Sequence, residues 1–327
     1  MRKNRWVLVP VVILIIYLIG PRPSKPTFSN DLPAVPTSPS TLDNYIAEKE
    51  KQHRLRKDNE ARIVWADSSH TPTDYVILYL HGFSASQGEG DPVHREIAAR
   101  FHSNLLLTRL SEHGIDTTEK LVNMTADGLW SSAKESFALA GNLGKKIILM
   151  GTSTGGTLAL MLAARYFNVA GIVLLSPNIE IFDKSARILN DPWGLNLAQM
   201  IKGSDYIYSE DTSALYKQYW SYGYRIEAAV QLEEMLETAM IPETFRKVNQ
   251  PLLLLYYYKD PVHQDSVVSV VAMQKMYGEL GTPPALKREK AMPNTGNHVI
   301  GSYIRSRDVE GVKAEIEKFL HEVMKLK

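Results

Sequence analysis

The chain has 327 residues, of which 44% are apolar and 22% are charged, and its formal net charge is +1. This composition is that of an ordinary globular protein, which excludes a disordered, collagen-like or coiled-coil chain as a whole. The near-neutral charge argues against nucleic acid as the main partner. Because the chain contains no cysteine, disulfides, thiolate metal sites and a cysteine nucleophile are excluded.

Residues 1–20 have the pattern of an export signal. Three cationic residues within the first five positions precede an uncharged, mostly apolar run from Trp6 to Gly20. Because Pro21 and Arg22 follow this run where a small-residue cleavage site is expected, we favour an uncleaved signal anchor over a cleaved signal peptide. The charge pattern then predicts a membrane-anchored protein whose folded part lies outside the cytoplasm, on the periplasmic or extracellular side. Secretion after signal cleavage is the alternative.

Residues 21–42 are rich in proline, serine and threonine. Such a composition builds neither a helix nor a strand ladder, so we expect a semi-extended linker. A charged amphipathic helix is predicted from Leu42 to Lys57, and the folded domain is predicted to occupy residues 43–327. Nothing in the sequence indicates an oligomeric state.

The folded domain alternates short apolar runs with helical patterns. The candidate strands are residues 61–65, 75–80, 104–108, 146–150, 171–175, 252–258 and 285–289. Several of them are apolar on successive residues, as in 76–80, which is typical of strands covered on both faces. The pattern predicts an α/β fold with a mostly parallel central sheet flanked by helices.

The segment between Ser176 and Pro251 is far longer than an ordinary crossover connection. It is crowded with tyrosine and tryptophan, and residues 225–240 have an amphipathic helical pattern. We therefore predict an inserted helical cap at about residues 185–247. Within it, Trp220 and Tyr224 are candidate substrate-binding residues.

Ser153 is the candidate nucleophile. It is the central residue of a G-x-S-x-G motif that follows the strand ending at Met150 and precedes a strong helical run. A sharp strand-to-helix turn strains the serine backbone and exposes its hydroxyl, while the flanking glycines let strand and helix pass closely. The start of the helix also supplies backbone N–H groups for an oxyanion.

The second oxyanion donor is expected in the loop after the strand 75–80, which begins His81-Gly82-Phe83. We predict the backbone N–H groups of Phe83 and Thr154 as the pair of donors. His81 is expected to brace this loop rather than to react.

A serine nucleophile needs a base, and the base needs an orienting carboxylate. Asp260 lies just past the strand 252–258, at the end where sites of α/β folds gather, and is the predicted acid. Asp265, which resembles a helix N-cap, and Glu180 are the alternatives. His298, in a glycine-containing loop after the last strand, is the predicted base. His263 is its competitor, but it is too close to Asp260 in sequence to come from a separate loop.

No cofactor and no metal are expected. The glycines around Ser153 lack the spacing of a dinucleotide fingerprint and the lysine of a phosphate loop, and the histidines include no H-E-x-x-H motif.

The order serine, acid, histidine is that of the α/β-hydrolase fold. The chain resembles that superfamily, and more narrowly its carboxylesterase, monoacylglycerol-lipase and serine-aminopeptidase-like branch. The matching pieces, spread over residues 60–327, are His81-Gly-Phe-Ser84, Arg109-Leu-Ser-Glu-His-Gly114, Gly151-Thr-Ser-Thr-Gly155, Asp260-Pro-Val262 and Gly296-Asn-His-Val299. The chain departs from esterase relatives at Thr152 and Thr154, where leucine or methionine is frequent, and at Asn297, where glycine is frequent.

This resemblance implies a serine hydrolase that attacks an acyl carbonyl, with the cap setting the substrate. We expect a small acyl ester of short to medium chain length as substrate. The alternatives are an aminopeptidase-like amide hydrolase, for which acidic cap residues such as Glu233 and Glu234 would bind an amine, and a non-catalytic binding protein of the cell envelope.

Overall fold

The computed structural model describes residues 5–327. Arg2 and Lys3, which belong to the basic start of the predicted signal, lie outside the described residues. The strands are β1 Arg62–Val64, β2 Thr73–Leu80, β3 Asn104–Leu107, β4 Gly144–Thr152, β5 Val169–Leu175, β6 Tyr206–Tyr208, β7 Gly223–Arg225, β8 Leu252–Tyr256 and β9 Lys287–Ala291. All seven predicted strands are present in one sheet of order β1-β3-β2-β4-β5-β8-β9.

The sheet is parallel except at one edge. Only β1, among the strands of this sheet, runs antiparallel to its neighbour β3. The central strands are buried on both faces, as the uninterrupted apolar runs predicted. The prediction of a mostly parallel sheet flanked by helices is confirmed.

Helices cover both faces of the sheet. The α-helices of the described residues, including those of the cap, are α1 Arg5–Leu18, α2 Pro39–Glu50, α3 Val93–Arg100, α4 Ala126–Ala140, α5 Thr154–Ala163, α6 Gly194–Lys202, α7 Ala214–Tyr219, α8 Ile226–Ala239, α9 Pro242–Phe245, α10 Val270–Glu279 and α11 Val309–Glu322. Successive residues of β2 point to opposite faces. Leu78 and Leu80 pack into the core that holds α4 and α5, whereas Ile77 and Tyr79 pack into the core that holds α3 and α11.

The insertion between β5 and β8 forms the cap. It contains α6 to α9, and α8 coincides with the amphipathic pattern recognised at residues 225–240. It also contains an antiparallel hairpin of β6 and β7 that the sequence pattern did not predict. Each of these strands has three residues, which is too short for an alternating pattern to be recognised.

The N-terminal apolar run forms the helix α1, which ends at Leu18. Trp193 of the cap donates a hydrogen bond from its indole nitrogen to the Ile16 carbonyl, at 3.0 Å. Within residues 5–327, no helix combines the length and the apolar character that crossing a membrane requires.

The proline-rich segment is not a free linker. Residues 21–38 form no helix or strand, but α2 begins at Pro39, within the predicted linker 21–42, and ends at Glu50 rather than Lys57. Phe28 is buried in the main core and packs edge-on against Trp130. The Asp127 carboxylate accepts the backbone N–H of Phe28 at 2.8 Å, and the Trp130 indole donates to the Ser29 carbonyl at 2.7 Å. The segment therefore belongs to the folded domain, because its one aromatic residue packs beside α4.

We expect Phe28→Ala to lower the free energy of unfolding by about 3 kcal/mol, since a large buried side chain is replaced by a cavity. Urea titration followed by tryptophan fluorescence measures this change. Leu32→Ala, at an exposed position of the same segment, is the matched control and should be nearly neutral. Equal effects in the two variants would contradict the packing of this segment on the core.

Candidate active site

Ser153 occupies the sharp turn between β4 and α5. Its φ is +52°, a left-handed value that a residue with a side chain adopts only under strain. The two flanking glycines are required by close approach. A Cβ atom at Gly155 would overlap the Leu80 carbonyl of β2, and one at Gly151 would overlap the backbone of Gly155. The strained turn is thus held by the crossing of α5 over the sheet, as the motif predicted.

Phe83 and Thr154 each present a backbone N–H near this serine. Thr154 is the first residue of α5, where backbone N–H groups lack partners within the helix. Phe83 follows Gly82, which lies so close to Ser153 that a Cβ atom on it would be 2.9 Å from the Ser153 Cβ. Among the described residues, neither N–H has a hydrogen-bond partner in the protein. Two free donors therefore lie beside the serine.

Two buried histidines fix the loop that carries Phe83. His81 donates from Nδ1 to the Gly82 carbonyl at 2.9 Å, and its Nε2 accepts the Leu110 N–H at 3.1 Å. His113 accepts the Ser84 N–H at 3.0 Å. Burial lowers the pKa of His81 to about 4 and also lowers the pKa of His113. Both rings are neutral at pH 7 and brace the loop, which is the role expected of His81.

His298 lies on the loop after β9 and is paired with Asp265. Its Nδ1 donates to Asp265 Oδ2 at 2.6 Å, and the Asp265 side chain is completely buried. The other oxygen, Oδ1, accepts the N–H groups of Val267 and Val268 at 2.9 and 3.1 Å. Burial disfavours the charged imidazole, but the Asp265 carboxylate outweighs it and raises the pKa of His298.

The structure does not place Asp260 beside His298, contrary to the arrangement predicted for the acid. The Asp260 side chain is 41% exposed, and its carboxylate accepts the N–H groups of Val262 and His263 and pairs with the His263 ring at 2.9 Å. These local bonds lower the pKa of Asp260. The carboxylate and its nearest histidine form a surface turn that does not involve His298.

A short excursion of the chain explains this difference. β8 ends at Tyr256, and the chain then turns back through a bridge between Tyr258 and Gln264. The Asp265 N–H donates to the Tyr257 carbonyl at 3.1 Å. Asp265 therefore returns to the end of the strand, while Asp260 lies at the tip of the excursion. The N-cap interpretation of Asp265 is wrong, because the N-cap of α10 is Ser269, and Asp265 instead accepts the N–H groups of a turn before that helix with one of its two oxygens.

Ser153 and His298 line one cavity of about 690 Å³ beneath the cap. Phe83, Trp220 and Tyr224 line the same cavity, so the structure brings together all the predicted residues except Asp260. The walls contributed by the cap are largely apolar, including Ile181, Ile188, Leu189, Ile201, Ile207 and Leu232.

The remaining acidic candidates lie elsewhere. Glu180 pairs with Arg187 at 3.0 Å. The helix α8 buries Glu233 and Glu234, contrary to the expectation that they present charge to a substrate amine, and the acids that line the Ser153 cavity are Glu89 and Asp183. Within residues 5–327, no group of three or more histidine, aspartate and glutamate side chains is arranged to hold a metal ion.

No family model and no curated protein sequence matches the chain. Solved structures do match it. The chain is similar to a structure of the metagenome-derived lipolytic enzymes LipS and LipT, with a TM-score of 0.64, 17% identity, and coverage of 82% of this chain and 100% of that one. It is similar to the monoacylglycerol lipase of Paleococcus ferrophilus, with a TM-score of 0.59, 14% identity, and coverage of 80% and 98%.

A thermophilic esterase from Thermogutta terrifontis is also similar, with a TM-score of 0.52, 18% identity, and coverage of 82% of this chain and 96% of that one. These proteins share the α/β-hydrolase fold, and at such identities the likeness concerns the fold. The chain therefore has the α/β-hydrolase fold that its motifs predicted.

The pairing of His298 with Asp265 makes a direct prediction for its pKa. Asp265→Asn removes the negative charge at Nδ1, so the pKa of His298 should fall, whereas Asp260→Asn should leave it unchanged. NMR titration of the imidazole C–H signals measures this, with the His298 signal identified by its loss in His298→Gln. A shift in Asp260→Asn alone would transfer the pairing back to Asp260.

Proposed function

We propose that this chain is a serine hydrolase that cleaves carboxylic esters of short to medium acyl chains. The observation that supports it is that His298, hydrogen-bonded to Asp265, lines the same cavity as Ser153, which occupies a strained turn. A serine, a histidine and a buried carboxylate are the groups that nucleophilic acyl transfer requires.

In the proposed reaction, Ser153 Oγ attacks the acyl carbonyl while His298 Nε2 takes its proton. Asp265 keeps the proton of His298 on Nδ1 and stabilises the imidazolium that forms. The N–H groups of Phe83 and Thr154 stabilise the oxyanion of the tetrahedral intermediate. His298 then gives its proton to the leaving alcohol, and water hydrolyses the acyl-enzyme by the reverse proton transfers.

The similar structures support an ester substrate in preference to an amide, since they are described as a lipolytic enzyme, a lipase and an esterase. The apolar wall of the cavity suits an acyl chain. An aminopeptidase-like hydrolase would need an anion that faces the substrate amine. Glu233 and Glu234, which the sequence suggested for this role, are buried in α8 away from this cavity, and the acids that line it are Glu89 and Asp183. A non-catalytic binding protein is the other alternative. A folded chain that a fluorophosphonate probe does not label at Ser153 would favour it.

We also propose that the N-terminal segment holds the enzyme at a membrane, with the folded domain outside the cytoplasm. The basic start and the apolar run of residues 6–20 support this proposal. Fractionation of cells that express the full chain tests it. Recovery of the intact chain in the soluble fraction would contradict it, and loss of residues 1–20 would favour the secreted form.

Ser153→Ala should leave the fold intact and lower ester turnover by about 10⁶-fold, the effect of removing the nucleophile of a well-studied triad. Hydrolysis of a nitrophenyl ester and labelling by a fluorophosphonate probe measure it. Ser176→Ala, a second buried serine at the end of a neighbouring strand, is the control and should be labelled like the parent. Retention of a tenth of the activity in Ser153→Ala would contradict the proposal.

Asp265→Asn should lower kcat by about 10⁴-fold, because the imidazole loses its orienting carboxylate, whereas Asp260→Asn should be mild. In the parent, the base is active only when His298 is neutral. Since the pKa of His298 is raised above its ordinary 6.5, activity should fall on acidification from a pH above 6.5. A pH profile of kcat/KM measures this limb, and a flat profile from pH 8 to pH 5 would contradict the assignment.

The cap aromatics should set the preferred acyl length. Burial contributes about 0.8 kcal/mol per methylene, so kcat/KM should rise about fourfold per carbon until the cavity is full, with an optimum near four to ten carbons. Tyr224→Ala and Trp220→Ala should shift that optimum. Tyr222→Ala, which lies in the same segment but packs beside Tyr208, is the control. An optimum that neither Tyr224→Ala nor Trp220→Ala moves would mean that these aromatics only pack.

A further inference from the structure

Glu89 is a buried carboxylate in the candidate active site to which the proposed mechanism gives no role. It is 2% exposed, lies in the loop between β2 and α3, and lines the cavity that contains Ser153. Its Oε2 accepts the Gly82 N–H at 2.5 Å. Gly82 immediately precedes Phe83, the residue whose N–H is the proposed oxyanion donor.

The packing around Gly82 makes this hydrogen bond consequential. A Cβ atom on Gly82 would lie 2.8 Å from Glu89 Oε1 and 2.9 Å from the Ser153 Cβ. The peptide of Gly82 is therefore confined between the carboxylate and the nucleophile. A shift of this peptide moves the Phe83 N–H relative to the position that the oxyanion would occupy.

Glu89 also faces the cap. Trp220 and Tyr216 line the same cavity as Glu89, and their rings stack with centroids 5.1 Å apart. The rest of the loop is fixed independently, because Ser86 Oγ donates to the Tyr219 carbonyl and Ser302 Oγ donates to the Gly88 carbonyl. The loop keeps its course by these bonds, which leaves Glu89 to orient the Gly82 peptide.

We propose that Glu89 is a positioning residue that holds the Phe83 N–H in place for the oxyanion. This inference rests on the proposed function, since it assigns a role within the same hydrolytic site. A positioned donor stabilises the transition state without added reorganisation, so its displacement lowers kcat more than it changes KM.

The charge of Glu89 supplies a second, independent signature. Burial raises the pKa of Glu89 to about 7, although the Gly82 N–H and His298 oppose this. The titratable groups that face it are Tyr79 on β2, Tyr216 on α7 and His298. Burial raises the pKa of both tyrosines, so neither becomes charged near neutral pH, whereas the pKa of His298 is raised above its ordinary value. The ionised Glu89 contributes to raising the pKa of His298, and removal of its charge should lower that pKa.

The test compares Glu89→Gln with Glu89→Ala in the full chain. The glutamine carbonyl still accepts the Gly82 N–H, so Glu89→Gln should keep kcat within about threefold and should move the acidic limb of the pH profile to lower pH. Glu89→Ala should lower kcat by about 10- to 100-fold with little change in KM, a fraction of the loss of an oxyanion donor. The affinity of a trifluoromethyl ketone, which forms a tetrahedral adduct with serine, should fall in parallel with kcat.

Ser86→Ala is the matched control, since it removes a buried hydrogen bond from the same loop without touching Gly82. It should lower the melting temperature with kcat unchanged. A parent-like kcat in Glu89→Ala, or an equal loss in Glu89→Gln and Glu89→Ala, would overturn the inference. If Glu89→Ala does not fold, Glu89→Gln provides the test. The inference would be overturned if the acidic limb of its pH profile lay at the same pH as in the parent. A parent chain that no fluorophosphonate labels would refute the proposed function itself, whatever the Glu89 variants do.

Discussion

The candidate site depends on the close crossing of α5 over the sheet. Gly155 lies against the Leu80 carbonyl of β2, and no residue with a Cβ atom fits there. The contact fixes α5 at the end of β2 and so fixes the turn that bears Ser153, at φ +52°. A strained turn persists only when its surroundings determine it. Here the surroundings are the fully buried central strands and the apolar face of α5, which form the largest part of the core.

The close crossing of α5 over the sheet also sets the position of the Phe83 N–H, the second proposed oxyanion donor. β2 ends at Leu80, and the loop that follows must pass the start of α5 at once. His81 and His113 can brace that loop from inside the core only as neutral rings, because burial disfavours their charged forms. Each neutral ring has one donor and one acceptor, and both are used. A protonated ring would have two donors and no acceptor for the backbone N–H that it now receives.

The sequence predicted the residues that belong to regular elements better than those on irregular loops. Ser153 was identified because the strand, the glycines and the helix are all visible as local patterns. Asp260 is the first acid after β8 in sequence, which is why the sequence favours it. Asp265 is the acid that lies beside the end of β8 in space. The bridge between Tyr258 and Gln264 causes this difference. It consists of backbone hydrogen bonds, which no side-chain pattern reports. The burial of Phe28 has no sequence signal for a related reason, since scattered apolar residues among prolines have no periodicity.

Asp265 combines two roles. One oxygen accepts the N–H groups of Val267 and Val268 in the turn before α10, whose N-cap is Ser269, and the other holds His298. The two roles support each other physically. The N–H groups of the turn satisfy one oxygen of a fully buried side chain and fix its orientation. The second oxygen is thereby aimed at the His298 ring, which it orients. The turn is therefore the means by which Asp265 is held in place beside the candidate base.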